Sequence, residues 1–232
     1  LGGIEASLRR IAHYDYWSDK VRRSILLDAK ADLLVFGMGE RPVWEIADRL
    51  NRGEKVGQLR DVRGTAYLIN NEDTKKLEAD PAQKAADKKT VVLPSFEEAS
   101  TNLEAFARMT RAFQMETNPG NARPLVQRHG DRGVYFNPPA FPLGDGEGDK
   151  SQGLANVAMD ELYDLPFNRA PHPMYAGEGI PAFETVKHSV VLMRGCFGGC
   201  TFCSITEHEG RVIQNRSGES RAAGDPRAAP YG

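Results

Sequence analysis

The chain has 232 residues and a near-balanced charge, 30 Lys and Arg against 32 Asp and Glu, with 40% hydrophobic residues. That length suits one large domain or two small ones. The missing basic excess argues against a protein held to nucleic acid by bulk electrostatics, since nothing is left over to neutralise phosphates. The longest apolar runs, Leu33–Met38 and Val190–Met193, fall far short of the roughly 18 residues that a membrane span needs. No membrane partner is expected, and with no basic-then-apolar leader the expected location is the cytoplasm.

In chain order, Leu1-Gly2-Gly3-Ile4 reads as the last residue of a strand entering a tight turn, as in an internal piece of a longer protein. Glu5–Trp17 has Leu8, Ile11 and Ala12 at helical spacing, which predicts a helix closed by turns at Asp15 and Ser18. The short apolar run Asp32–Phe36 fits a buried parallel strand. Gly37–Glu40 is then a glycine turn, and a helix starts near Pro42 and runs through Leu50 to a stop at Asn51-Arg52-Gly53. Strand, glycine turn and helix make the βα unit of an open α/β sheet. A plain βα turn is favoured at Gly37–Glu40 over a phosphate cradle.

Gly64–Asn70 predicts another strand, and the charged residues 71–90 read as a solvated linker. Val91–Pro94 predicts a short strand, and Ser95-Phe96-Glu97-Glu98 carries a helix-start signal. Leu103, Phe106, Met109 and Phe113 mark an amphipathic helix over Thr101–Glu116. Gly144–Gly153 reads as a loop tip, Met159–Leu165 as a helical turn or two, and Thr185–Met193 as a strand after the Pro- and Gly-rich Pro171–Pro181. The tail Gly218–Gly232 has Ala, Gly or Pro at nine of fifteen positions, too little apolar surface to hold an ordered shape.

All three cysteines fall in Cys196-Phe197-Gly198-Gly199-Cys200-Thr201-Phe202-Cys203, a Cys-x3-Cys-x2-Cys pattern following the strand expected at Thr185–Met193. Three thiolates so close in sequence can converge on one face of a loop, as a metal or iron–sulfur centre requires. Gly195, Gly198 and Gly199 would permit positive φ and bring amide N–H groups near the sulfurs. A four-iron cluster held by three cysteines leaves one iron open to substrate. Zinc, with His208 or His188 as fourth ligand, is the competing reading, and three buried or reactive thiols the plainest one. The charged Thr206–Arg211 segment reads either as a cofactor contact through His208 or Arg211 or as a solvated loop, and neither residue is assigned a role. His13 with Tyr14, Tyr16 and Trp17, and His129 beside Asp131, read as ordinary packing.

At these residues the sequence resembles the radical S-adenosylmethionine (SAM) superfamily, whose signature is Cys-x3-Cys-x-aromatic-Cys; Cys196, Cys200, Phe202 and Cys203 fill it. The words at 193–211, 1–19, 36–42, 116–120 and 129–132 resemble the YgiQ-type family within it. The resemblance implies an α/β fold in which residues 1–70 are the second half of a Rossmann-like, cobalamin-binding-type domain. After the linker 71–90 and a mixed connecting region 91–177, residues 178–217 would begin a partial radical-SAM (β/α) barrel, its first strand at Val186–Met193 and its cluster loop following. No Asp-x-His-x-x-Gly cobalamin signature occurs. The resemblance further implies a [4Fe-4S] cluster on Cys196, Cys200 and Cys203, SAM packed on Phe202, an electron donor such as flavodoxin or ferredoxin, and hydrogen abstraction from an unknown substrate by a 5′-deoxyadenosyl radical. A chain with only the first barrel strand is expected to be inactive alone. A non-catalytic zinc or iron–sulfur interaction module is the alternative.

Overall fold

The computed structural model describes residues 1–79, 90–142, 159–163, 165–166, 170–200 and 202–216. Most of the charged linker, the loop tip at 144–153 and the tail at 218–232 lie outside the described residues. Gly3–Leu8 forms a short helix α1, and the helix expected through Trp17 gives way to a hairpin of β1 (His13–Asp15) and β2 (Lys20–Arg22). The alternative spacing that wins is local: Asp15 accepts hydrogen bonds from Ser18 Oγ at 2.7 Å and Arg22 at 3.2 Å across the turn. Helix α2 (Ile25–Asp28), capped by Ser24, leads to strand β3 (Leu34–Val35). Gly37 takes φ +75° in the glycine turn, and α3 (Glu40–Asn51) follows and stops before Gly53 at φ +92°.

Strand β4 (Thr65–Ile69) occupies the expected place. The charged segment, whose reading as a linker left room for transient helix, begins with helix α4 (Asn71–Ala79). After β5 (Val91–Val92), Ser95 and Glu98 form a reciprocal cap on α5 (Phe96–Thr101), with Ser95 Oγ accepting from Glu98 N and Glu98 Oε2 accepting from Ser95 N at 2.8 Å. The amphipathic helix is α6 (Leu103–Met115), begun afresh by Asn102, whose side chain accepts from the amides of Glu104 and Ala105. Its buried face is Ala105, Met109 and Phe113; Leu103, at the first turn, lies in solvent. Strands β6 (Leu125–His129) and β7 (Arg132–Phe136) form a hairpin about Gly130 at φ +63°, a Gly-Asp turn that the sequence carried unread.

These strands make one mixed α/β sheet in the order β3-β4-β7-β6-β5, in which only the β5–β6 pair is parallel. The sheet therefore takes strands from both the 1–70 and the 91–177 segments. The parallel reading of Asp32–Phe36 is corrected: β3 is antiparallel to β4, because an apolar run reports burial and carries no information on direction. Leu34, Ala66, Val134, Phe136 and Leu125 share one core with Met109, Phe113, Ala6 and Leu26. Within it, the fully buried Gln127 accepts from Ala12 N at 2.8 Å and donates to Pro94 O at 2.9 Å, so one polar side chain ties the residues after α1 to the far edge of the sheet.

Downstream come α7 (Met159–Tyr163) and α8 (Pro181–Val186). The strand expected over Thr185–Met193 is thus corrected: Pro181 at the first turn starts a helix, Val190–Leu192 lie exposed, and only Met193–Arg194 pair, as β8, antiparallel to β9 (Gln214–Asn215). Between β8 and β9 stand the cysteine loop and α9 (Ile205–Glu209).

Candidate iron–sulfur site

The cysteine loop leaves β8 through Gly195, which takes φ +84° and sits so close to the Val212 carbonyl that a Cβ would overlap it. Of the three glycines expected to need positive φ, only this one does. Gly198 serves differently. Its amide donates to Cys196 Sγ at 3.4 Å, and a Cβ there would stand 3.2 Å from Cys196 Sγ and 3.9 Å from Cys200 Sγ. All three thiols are free of disulfides, with Cys200 exposed and Cys196 and Cys203 half-buried. Phe202 is 91% exposed and Phe197 is 82% exposed, so neither covers the loop as an apolar lid in this state.

Among the described residues, no three Cys, His, Asp or Glu side chains stand close enough to hold one metal ion. The expected ligands are therefore brought onto one loop but not drawn together. The donor chemistry fits an iron–sulfur cluster all the same: three thiols free of disulfides, a bare Gly198 between two of them and its amide already directed at Cys196 Sγ. His208 is not gathered with the cysteines; its Nδ1 lies 2.9 Å from Ser7 Oγ.

Helix α9 braces the loop at both ends. Cys203 precedes its N-terminus by two residues, while Glu209 Oε2 accepts from Gly195 N at 3.1 Å and Gly210 O from Cys196 N at 3.0 Å. The helix in turn rests on α1 and the residues after it. The Arg10 guanidinium packs against the rings of Phe36, 4.4 Å from its centroid, and Phe113, at 4.2 Å. It donates to the carbonyls of Ser7 and Glu207, and lies 3.5 Å from the Glu207 carboxylate. Burial pushes Arg10 down to about 10, with Glu207 opposing, and pushes the Glu207 carboxyl up, with Arg10 and Arg211 opposing. In both groups burial is the largest cause of the shift and the partner's charge opposes it. Sequence reading missed Arg10 and Ser7, since nothing local pairs residue 10 with residue 207.

Arg211 is tied back to the loop after α6, its Nε donating to Thr117 Oγ1 at 2.5 Å. Arg194, at the root of the cysteine loop, donates to Glu40 Oε1 at 2.5 Å and to Tyr163 Oη at 2.9 Å. Beside it opens a cleft of about 910 Å³ lined by Gly37, Glu40, Val43, Leu192, Arg194 and His208, among others.

The family description "Radical SAM N-terminal" matches residues 1–189. This chain belongs to the YgiQ-type radical SAM family. It is 56% identical over 225 residues to a UPF0313 protein of Bradyrhizobium diazoefficiens, covering 94% of this chain and 32% of the relative. It is 46% identical over 263 residues to the UPF0313 protein YgiQ of Escherichia coli K12, covering 95% of this chain and 34% of the relative. A UPF0313 protein of Shewanella oneidensis is 45% identical over 268 residues, covering 95% of this chain and 33% of that relative. The chain thus spans about a third of the length of the curated relatives it matches. No solved structure matches it. Among the described residues, no helix is long and apolar enough to cross a membrane.

Proposed function

We propose that the chain is part of a radical SAM enzyme, holding a [4Fe-4S] cluster through Cys196, Cys200 and Cys203 and contacting SAM through Phe202. The observation that carries this is the Cys-x3-Cys-x2-Cys loop itself, with three free thiols between glycines in a family member of this kind. When bound, a cluster on Cys196, Cys200 and Cys203 would pass one electron from an external reductant to SAM, releasing methionine and supplying hydrogen abstraction from a substrate. The chain's own residues do the rest. Three thiolates bind iron, and the Gly198 amide offsets negative charge at Cys196 Sγ. The exposed Phe202 is free to pack on adenine, and the cleft beside Arg194 is the space for a substrate.

The finer architecture, a Rossmann-like half-domain joined to the start of a barrel, belongs to this reading, as do a flavodoxin- or ferredoxin-type reductant and a cytoplasmic location. So does inactivity of this chain alone, which spans about a third of its relatives' length and, among the described residues, flanks the cysteine loop with only the short β8–β9 pair. Anaerobic reconstitution with iron and sulfide tests the proposal. A brown full-length protein with about four irons, which cleaves SAM when reduced, supports it. Stoichiometric zinc and no SAM cleavage would establish the non-catalytic module instead.

A further inference from the structure

We infer that Arg10 and Ser7 are positioning residues for the cysteine loop: by clamping α9 to the first helix and its sheet, they set where Cys196 and Cys203 stand. This rests on the iron–sulfur reading of those cysteines and adds to it residues nearly two hundred positions upstream. The loop is anchored through α9 and the residue after it at both of its ends, by the chain itself at Cys203 and by Glu209 Oε2 and Gly210 O at Gly195 and Cys196, in addition to the β8–β9 pairing and the Arg194 bonds at its root. Whatever fixes α9 therefore helps to fix two of the three thiols.

Two contacts from α1 and the residue pair after it do so. Arg10, 4% exposed, reaches the Glu207 carbonyl at 3.2 Å and its carboxylate at 3.5 Å. Its own position is set by Phe36 from the sheet, by Phe113 from α6 and by the Ser7 carbonyl. A guanidinium packed against two rings has few orientations available, which restricts where its in-plane N–H groups point. Ser7, fully buried, places Oγ 2.9 Å from His208 Nδ1 and 2.9 Å from Gly37 N, which donates to it. The glycine turn after β3, α1 and α9 meet at that one hydroxyl. Consecutive residues Glu207 and His208 are thus gripped by two side chains three positions apart on the N-terminal segment.

A salt bridge with a mainly stabilising role would be better replaced by apolar packing, because both charges here are penalised by burial. A registry role accounts for its form: the pair is directional, and it ends on a main-chain carbonyl of the helix that carries the loop.

The test uses the full-length protein with Arg10→Lys, Glu207→Gln and Ser7→Ala, the last of which removes three hydrogen bonds, to Gly3, Gly37 and His208, without burying a lone charge. In cluster-free protein, hydrogen exchange and alkylation of Cys196 and Cys203 are followed. After reconstitution, iron content, the electron paramagnetic resonance of the reduced cluster and the rate of cluster loss to a chelator are followed. Expected are about tenfold faster exchange over 203–210 and faster alkylation, with α6 unchanged, as in local opening. The reconstituted variants should start with wild-type iron, show a shifted or broadened resonance, and lose the cluster about tenfold faster. Wild-type exchange and alkylation in Ser7→Ala and Glu207→Gln would overturn the inference. So would faster exchange with an unaltered resonance and lifetime, which would leave only a structural role. If the wild type itself takes up no iron, the iron–sulfur reading fails, and the exchange and alkylation rates alone then decide whether the clamp holds the loop.

Discussion

His129 ends β6 with its ring buried, 6% exposed and stacked on Phe96 at 5.7 Å and 19°, and neither ring nitrogen has a hydrogen-bond partner. Burial, with Arg23 and His13 adding to it and Asp28 opposing, pushes its pKa from 6.5 down to about 4. The folded protein therefore binds fewer protons here than the unfolded chain between those two values, and stability falls as the pH drops through that window. A shift of that size corresponds to about 3 kcal/mol in full. About 2 kcal/mol of it is lost between roughly pH 7.5 and pH 5, where the unfolded imidazole is protonated and the folded one is still neutral. His129→Phe keeps the ring stack and removes the titration. Urea unfolding of both proteins at the two pH values is the assay. The wild type should lose about 2 kcal/mol more than His129→Phe on acidification, whereas His13, also pushed down by burial, contributes to both proteins. Equal losses would refute the assignment and place the proton elsewhere.

Cys196→Ala, Cys200→Ala and Cys203→Ala, made singly, should each abolish stable cluster assembly, because a three-thiolate site has no spare ligand; iron analysis and paramagnetic resonance decide. Phe202→Ala should leave folding stability and iron content unchanged, since the side chain is 91% exposed, yet weaken SAM binding by about 1–3 kcal/mol if it stacks on adenine as aromatics do on bases elsewhere; calorimetric titration measures it. Gly195→Ala should detach the loop from 212–213, because φ +84° and the overlap with the Val212 carbonyl penalise it together. Proteolysis at the loop and loss of iron uptake would show that, and a wild-type response in both would count against the close approach.

Local chemistry was legible without coordinates. The cysteine spacing, the Ser95–Glu98 cap, the stop at Gly53 and the Met109–Phe113 face of α6 each depend on residues within one or two turns of one another, so one sequence suffices to read them. Strand direction was not legible, because burial of Leu34 is the same whichever way β4 runs beside it. Residues 9–17 were misread as helix for a related reason: Ile11 and Ala12 are core residues that suit a helical period, yet the turn around Asp15 and the bond from Ala12 N to Gln127 hold the chain out of a helix. At the candidate site the sequence determined that three thiols stand on one short loop. Tertiary structure decided where α9 carries them, through Arg10 and Glu207, 197 residues apart in the chain. Contacts at that separation leave no periodic trace in the sequence; they exist only once the core has brought Phe36 and Phe113 together around a guanidinium.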